Sequence, residues 1–495
     1  MSTQNEQGQN RRRPTKAQLE RRRIKRRKAL ILRAVSLAVV LLVLAGGIWA
    51  VSAGIKSHDT RKQEEKAAKE AEIQAEEQKI QQRKDMIAQA NTMAQGYDYD
   101  GAIALLETID GYEEDADIIA AIAGFTATKS TLVQVDVTKV PHIFYHSLIN
   151  DTNRAFNVET LGKSSVGGQN AWMTTVEEFD NITQQLYDNG YVYVRLTDLV
   201  KETKDEDGTV HFTKNTDLKL PADKKPIVLS IDDLSYYHSY KLAGYPEKMV
   251  LDENNKVKCQ YTDADGNTTL GDYDVVPRLN TFLEAHPDGA YKGARGMIAM
   301  TGYNGVFGYR TDVAYKTGEN LQTDQSEWLA EHPDFNWDQD VADATKIADA
   351  IKESGWQFAC HTWGHLLVTG KSVETLQADC EKWKATVENI VGPTEIIIFA
   401  HGADIGSWKG YTDDNPQYAY YKSQGFNYYC NVDGSQKYWE QISDSYVRQG
   451  RINLDGYMLY KANQGQTDVL DDFFDDPASI FDSRRPTPVV ASGKG

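Results

Sequence analysis

The chain has 495 residues, 40% hydrophobic and 25% charged, which is the composition of a globular protein of two or three structural units. Its 13 prolines and four cysteines exclude a collagen-like chain and a disulfide-dense miniprotein. The net charge of −18 is unevenly spread: residues 1–33 hold twelve Lys and Arg against Glu6 and Glu20, residues 34–55 hold no charge, and the other 440 residues carry 42 bases and 70 acids. A body that acidic lacks the basic surface that phosphate binding needs, so nucleic acid is not an expected partner.

Taken in chain order, residues 1–33 form a basic tail, and residues 34–55 (AVSLAVVLLVLAGGIWAVSAGI) are twenty-two uncharged residues. At about 1.5 Å per residue such a helix spans roughly 33 Å, enough for a hydrocarbon core of about 30 Å. The basic block before it predicts a single-pass anchor with the amino terminus cytoplasmic and the acidic body outside the cell. A cleaved signal peptide is the rival reading, with Val51-Ser52-Ala53 as its small-residue site. The long basic region and the length of the apolar run favour the anchor.

Residues 56–90 lack Gly and Pro and predict a helical stalk. Ile73, Ile80 and Ile87 recur every seven residues, but charged residues fill the other seam positions. A stable coiled coil wants two apolar positions per heptad, so a solvated helix is the expectation. Residues 91–130 resemble one helix pair of a tetratricopeptide repeat. A single copy cannot bury its own face by stacking, which predicts a small helical hairpin packed on a neighbour.

From about residue 131 to 465, short apolar runs alternate with amphipathic helices. The runs are 142–145, 191–194, 226–231, 296–300, 356–360, 395–400 and 426–430. Runs of this kind suit strands buried on both faces, and their alternation with helices predicts an α/β barrel or a doubly wound sheet. Residues 240–290 break the rhythm and read as an inserted β-hairpin around Asp-Gly-Asn. Residues 466–495 read as a carboxy-terminal extension with a frayed end. Cys259, Cys360, Cys380 and Cys430 allow three disulfide pairings outside the cytoplasm, and sequence does not choose among them. Cys360 ends a buried strand, where a packed free thiol is expected.

The chemistry gathers at the ends of these runs. His146 follows the first, Asp232 and Asp233 the third, His361 the fifth with His365 four residues on, and His401 the sixth. In parallel α/β folds the carboxyl ends of the strands share one face, where the active site lies. On a turn of helix, His361 and His365 would share a face. Two imidazoles and a carboxylate form the ligand set of a catalytic zinc, with positions open for water and substrate. Adjacent carboxylates at a strand exit point in different directions, so one can bind metal while the other faces the metal's water. That combination predicts metal-assisted hydrolysis. Zinc leads among the divalent cations that fit.

At these residues the chain resembles the polysaccharide deacetylases, the NodB-homology family of carbohydrate esterases. PIVLSIDD (226–233) matches the family's first motif and HTWGH (361–365) its His-[Ser/Thr]-x-x-His motif. The segments 140–148, 171–199 and 347–365 resemble membrane-anchored extracellular members, and the likeness spans roughly 135–465. It implies a distorted (β/α) barrel, with Asp232 as general base and Asp233, His361 and His365 as metal ligands. The implied reaction removes acetyl from N-acetylated sugars of peptidoglycan or another surface polysaccharide. Two departures stand out. The segment 396–408 (IIIFAHGADIGSW) lacks the family's base-orienting Arg and has His401 where an aromatic is usual. The region 447–459 (VRQGRINLDGYML) lacks the family's acid His. The acid then falls to His401 or His146, with Arg451 or Asp455 in support. Trp363, Tyr236, Tyr237, Tyr303 and Trp408 are candidate platforms for sugar rings. A glycan-binding or scaffold protein that keeps the fold but has lost activity is the alternative. A metal hydrolase for another amide or ester is a third.

Overall fold

The computed structural model describes residues 58–491, with side chains from residue 69 onward. The basic tail and the predicted anchor at 34–55 lie outside the described residues. Among those described, no helix is long and apolar enough to cross a membrane. The chain divides at Lys84 into two units. In the first, the described residues belong to the helix His58–Gln95, on which Ile73 and Ile80 are exposed. That exposure fits a solvated helix.

The second unit is built on a closed ring of seven parallel strands: β1 His142–Tyr145, β2 Lys225–Asp232, β3 Met297–Met300, β4 Gln357–Cys360, β5 Ile396–Ile398, β6 Tyr428–Val432 and β7 Val447–Asn453. Each pairs with the next, and β7 closes on β1 through Ile452↔Ile143 and Asn453↔Phe144. The predicted run at 191–194 stands outside this ring. Its strand, Tyr191–Tyr193, pairs with the first residues of the long β2, Lys225–Ile227, below the part that pairs with β3, and bridges to Ala290 through Tyr193. The ring is completed instead by β7, whose sequence VRQGRIN has no apolar run. Inward Gln449 and Arg451 and outward Arg448 are polar, and this is why hydropathy does not reveal it.

Side chains alternate across each strand and so divide the interior into two cores. The outward face, with Ile143, Leu229, Ile298, Phe358, Ile397 and Ile452, packs under the surrounding helices. The inward face contributes Val228, Met297, Ala359, Ile396, Tyr428 and Val447 to a second core. That core also takes in Ala90, Tyr99, Leu106 and Ile118 from the helical segments ending at Gln95, at Leu106 and at Ser130, and Tyr97 from the turn after Gln95. The antiparallel pair Val200–Lys204 and Val210–Lys214 joins it through Phe212, whose ring meets Tyr428 edge-on at 5.4 Å. The amino-terminal end of the barrel is thus closed, and its carboxyl rim is left for chemistry.

Two further expectations need correction, on the excursion and on the carboxy-terminal stretch. The excursion is a three-stranded antiparallel sheet, Lys248–Leu251, Val257–Thr262 and Thr268–Gly271, not a hairpin. A second turn lies upstream of Asp-Gly-Asn: Asp252 accepts the backbone N–H groups of Asn254 and Lys256. All four cysteines are free and buried, Cys360 as expected. The stretch after 465 is no loose extension, because Val469, Leu470, Phe473, Phe474 and Ile480 enter the outer core.

Arg485 fastens that stretch. Fully buried, it reaches both oxygens of Glu178 at 2.6 and 2.5 Å and the carbonyls of Asn170 and Met173 at 2.9 and 2.6 Å. Glu178 in turn closes the capping box with Thr175 at the start of the helix Val176–Asp188. Removing one partner of a buried pair strands the other charge, which costs about 3–5 kcal/mol. Arg485→Met is expected to lower unfolding stability by about that amount in urea denaturation, with part of the loss recovered when Glu178→Gln is added.

Candidate active site

β2 carries Asp232 to the carboxyl rim as its last residue, and Asp233 follows at φ +59°. His361 leaves the end of β4, and the chain turns so that His365 returns beside it with ring centroids 5.1 Å apart. Ligand atoms of Asp233, His361 and His365 all lie within 4.8 Å of one another. His365 Nε2 is 3.3 Å, and His361 Nε2 4.0 Å, from Asp233 Oδ2. The structure therefore brings together the three residues expected to hold metal.

Their surroundings fit a divalent cation. His361 Nδ1–H donates to the Ile398 carbonyl at 2.7 Å, which fixes the tautomer and leaves the Nε2 lone pair facing the cluster. Burial pushes the His361 pKa down, against the pull of Asp232 and Asp233, and so favours the neutral imidazole that a metal requires. The Tyr237 hydroxyl donates to Asp233 Oδ1 at 2.7 Å and lies 2.6 Å from Thr301 Oγ1, which leaves Asp233 Oδ2 for the cluster. Tyr237 was expected only as a sugar platform. Its work as a carboxylate holder has no sequence signal beyond its place four residues after Asp233.

The two histidines do not meet on a helix. Residues 361–366 form an irregular turn in which Thr362 and His365 take φ of +60° and +50°. Asp233 and His401 are left-handed as well, at +59° each. Such conformations cost of order 1–3 kcal/mol per non-glycine residue and persist only where the surroundings over-determine them. Here Asp379 receives the N–H groups of Trp363 and Gly364 at 2.7 and 2.9 Å, and Thr362 Oγ1 takes that of Leu366 at 2.6 Å. The Trp363 ring then lies over Gly302, where a Cβ would come within 2.1 Å of it. Four strained residues around one cluster mark the rim as the place where the fold has traded stability for geometry.

Asp232 faces the barrel lumen. Arg451, from the inward face of β7, donates from Nη1 and Nη2 to its two oxygens at 2.7 and 2.9 Å. Burial alone would raise the Asp232 pKa, but Arg451, and after it His361, hold the carboxyl far below its usual range. Arg451, expected only in support, thus grips Asp232 from a strand outside 396–408. Asp455, the other residue expected in support, caps the helix Gly456–Asn463 by accepting the Met458 N–H at 2.9 Å.

The two remaining imidazoles flank the cluster. His146 follows β1 and is half-buried. His401 is exposed, with its ring 4.2 Å from that of His365 and its Nε2–H directed to the His365 carbonyl at 3.1 Å. Of the candidate sugar platforms, Tyr236 is withdrawn. It is 1% exposed, and its hydroxyl donates to Asp274 at 2.7 Å. Tyr303 is tied to Asp324, and Trp408 is 77% exposed.

Full-length protein is expected to hold about one equivalent of a transition metal by elemental analysis and to lose it in His361→Ala. Tyr237→Phe is expected to weaken metal affinity about 10–100-fold in a chelator competition while the fold is kept.

No family model matches the chain, and no curated protein sequence matches it. Among solved structures, it is similar to the Streptococcus pyogenes deacetylase PplD in complex with acetate, with 12% identity over 66% of this chain and 94% of that one and a TM-score of 0.32. A superposition that loose carries no residue roles across.

Proposed function

We propose that this protein is a metal-dependent hydrolase that removes acetyl groups from N-acetylated sugars of a surface polysaccharide. The observation that carries this reading is the pairing of a two-histidine, one-carboxylate cluster with a second carboxylate, Asp232, 3.8 Å from His361 Nε2. A scaffold has no use for a buried carboxylate held by its own arginine beside a metal cluster. The two sequence motifs shared with polysaccharide deacetylases supply the substrate class.

Asp233, His361 and His365 would hold the cation, zinc by preference. When bound there, it supplies Lewis-acid polarisation of the acetyl carbonyl and lowers the pKa of a water molecule. Asp232 is the general base: Arg451 occupies one direction at each carboxylate oxygen, and a lone pair remains to accept the proton of the attacking water. His146 is the general acid that returns a proton to the departing sugar amine. It follows Tyr145, whose register partner is Ile231, and so leaves the rim next to Asp232, whereas the Nε2 proton of His401 is committed to a backbone carbonyl. Hydrolysis then yields acetate and a free amino sugar. Trp408, exposed on the loop after β5, offers a face for a sugar ring. The anchor at 34–55 would hold the domain at the outer membrane surface, where such polymers lie.

Acetate release from oligomers of N-acetylglucosamine tests the reading. Asp232→Asn is expected to lower kcat by about 10²–10⁴-fold with metal retained, and His146→Ala to cost far more than His401→Ala. No acetate release by the metal-loaded protein from any acetylated glycan would overturn the reading.

Arg451→Gln removes the cation that depresses Asp232. The carboxyl pKa then rises, the base is protonated at higher pH, and the acid limb of the kcat/KM profile is expected to move upward in pH.

A further inference from the structure

Below Asp232 the sector of the barrel lumen formed by β7, β1 and β2 is polar, where a small barrel is ordinarily filled with apolar side chains. Arg451 is fully buried, with its guanidinium stacked 4.2 Å from the Phe144 ring centroid. Besides gripping Asp232, its Nη1 donates to Ser230 Oγ at 3.1 Å. Ser230 Oγ lies 2.9 Å from His142 Nε2, and both residues are 0% exposed. On the far side of the imidazole stands Gln449, whose amide N–H₂ donates to the Val140 carbonyl at 2.9 Å and to Glu440 Oε2 at 3.3 Å.

These contacts fix one proton arrangement. Arginine can only donate, so Ser230 accepts from it and has one proton left to give. Among the described residues the one partner of Ser230 Oγ besides the arginine is His142 Nε2, which takes that proton on its lone pair, with the imidazole proton on Nδ1. Both amide protons of Gln449 are spent on Val140 and Glu440, so its Oε1 is left as an acceptor. His142 Nδ1, Gln449 Oε1 and Arg451 Nε are buried atoms of this group that make no hydrogen bond. From the guanidinium through Ser230 to the imidazole the bonds therefore run in one direction, set by an arginine that can only donate.

We propose that His142 and Ser230 are positioning residues for Asp232, acting through this chain by fixing the guanidinium that holds the carboxylate. Two bonds to Asp232 set the plane of the guanidinium, and the third, to Ser230, stops it sliding across the Phe144 ring. A second Nη1 hydrogen left unpaired in this buried site would draw the guanidinium elsewhere and take Asp232 with it. Displacement of a catalytic group by about 1 Å costs on the order of 10²-fold in rate. The bland account, a buried histidine satisfied by whichever neighbours it has, gives no reason for the direction of the bonds.

The inference rests on Asp232 being the base of a hydrolase, and the test separates the two. In full-length, metal-loaded protein, Ser230→Ala and His142→Phe are expected to lower kcat about 10²-fold with KM and metal content unchanged. Ser230→Thr keeps the hydroxyl and His142→Gln keeps an acceptor toward Ser230, and both are expected to recover most of that loss. Unchanged kcat in Ser230→Ala and His142→Phe, or equal losses in all four variants with a lower melting temperature, would overturn the proposal. If wild-type protein releases no acetate, the functional reading fails and the chain is still tested by nitrogen NMR of ¹⁵N-histidine-labelled full-length protein. The signals lost in His142→Phe are expected to be those of a neutral Nδ1–H imidazole, displaced in Ser230→Ala. An Nε2–H tautomer or an imidazolium at His142 would overturn it.

Discussion

The grip of Arg451 on Asp232 is the constraint from which most of the barrel interior follows. Two opposite charges at the centre of a closed ring are tolerable only as a pair, because either alone would be stranded in a low-dielectric lumen. The pair forces polar residues onto the inward face of β7, and they in turn need partners from β1 and β2. Phe144 covers the guanidinium face, Ser230 takes its spare hydrogen, and His142 and Gln449 carry the polarity down to the closed end. The apolar work of folding is moved elsewhere. It falls to the outward face of the ring and its helices, and to the inner core at the amino-terminal end.

This division explains which parts of the fold were legible in the sequence. Six of the seven ring strands announce themselves as apolar runs, because both their faces are buried among hydrocarbon. The seventh, Val447–Asn453, does not, because its inward residues Gln449 and Arg451 belong to the polar lumen and outward Arg448 is polar as well. The seventh apolar run, at 191–194, is a strand as hydropathy predicts, but hydropathy cannot tell a ring strand from one that flanks it. The carboxy-terminal segment has its apolar residues irregularly spaced, so no periodic pattern marks Leu470 or Phe473 as core.

The site was legible in its ligands and illegible in its supports. Asp232, Asp233, His361 and His365 stand out because they follow strands, and their spacing is local. The groups that aim them come from far along the chain: Arg451 lies 219 positions from Asp232, and Ile398, which fixes the His361 tautomer, lies 37 positions on. Spacing also misled once. Four residues between histidines suggests a helical turn, yet the same proximity is reached through left-handed Thr362 and His365, with Asp379 and Gly302 making room.

Because β7 closes on β1, the ring has no first or last strand as seen from its axis. Every strand brings its inward residues to the same central space, so a guanidinium can reach a given carboxylate from several starting points that are remote from one another in the chain. A role of this kind can pass from one strand to another during divergence while its spatial address is kept. The linear order of motifs is then erased although the chemistry is retained. For chains built on such a ring, the residues that converge on the axis are a truer basis for comparison than the order in which they occur.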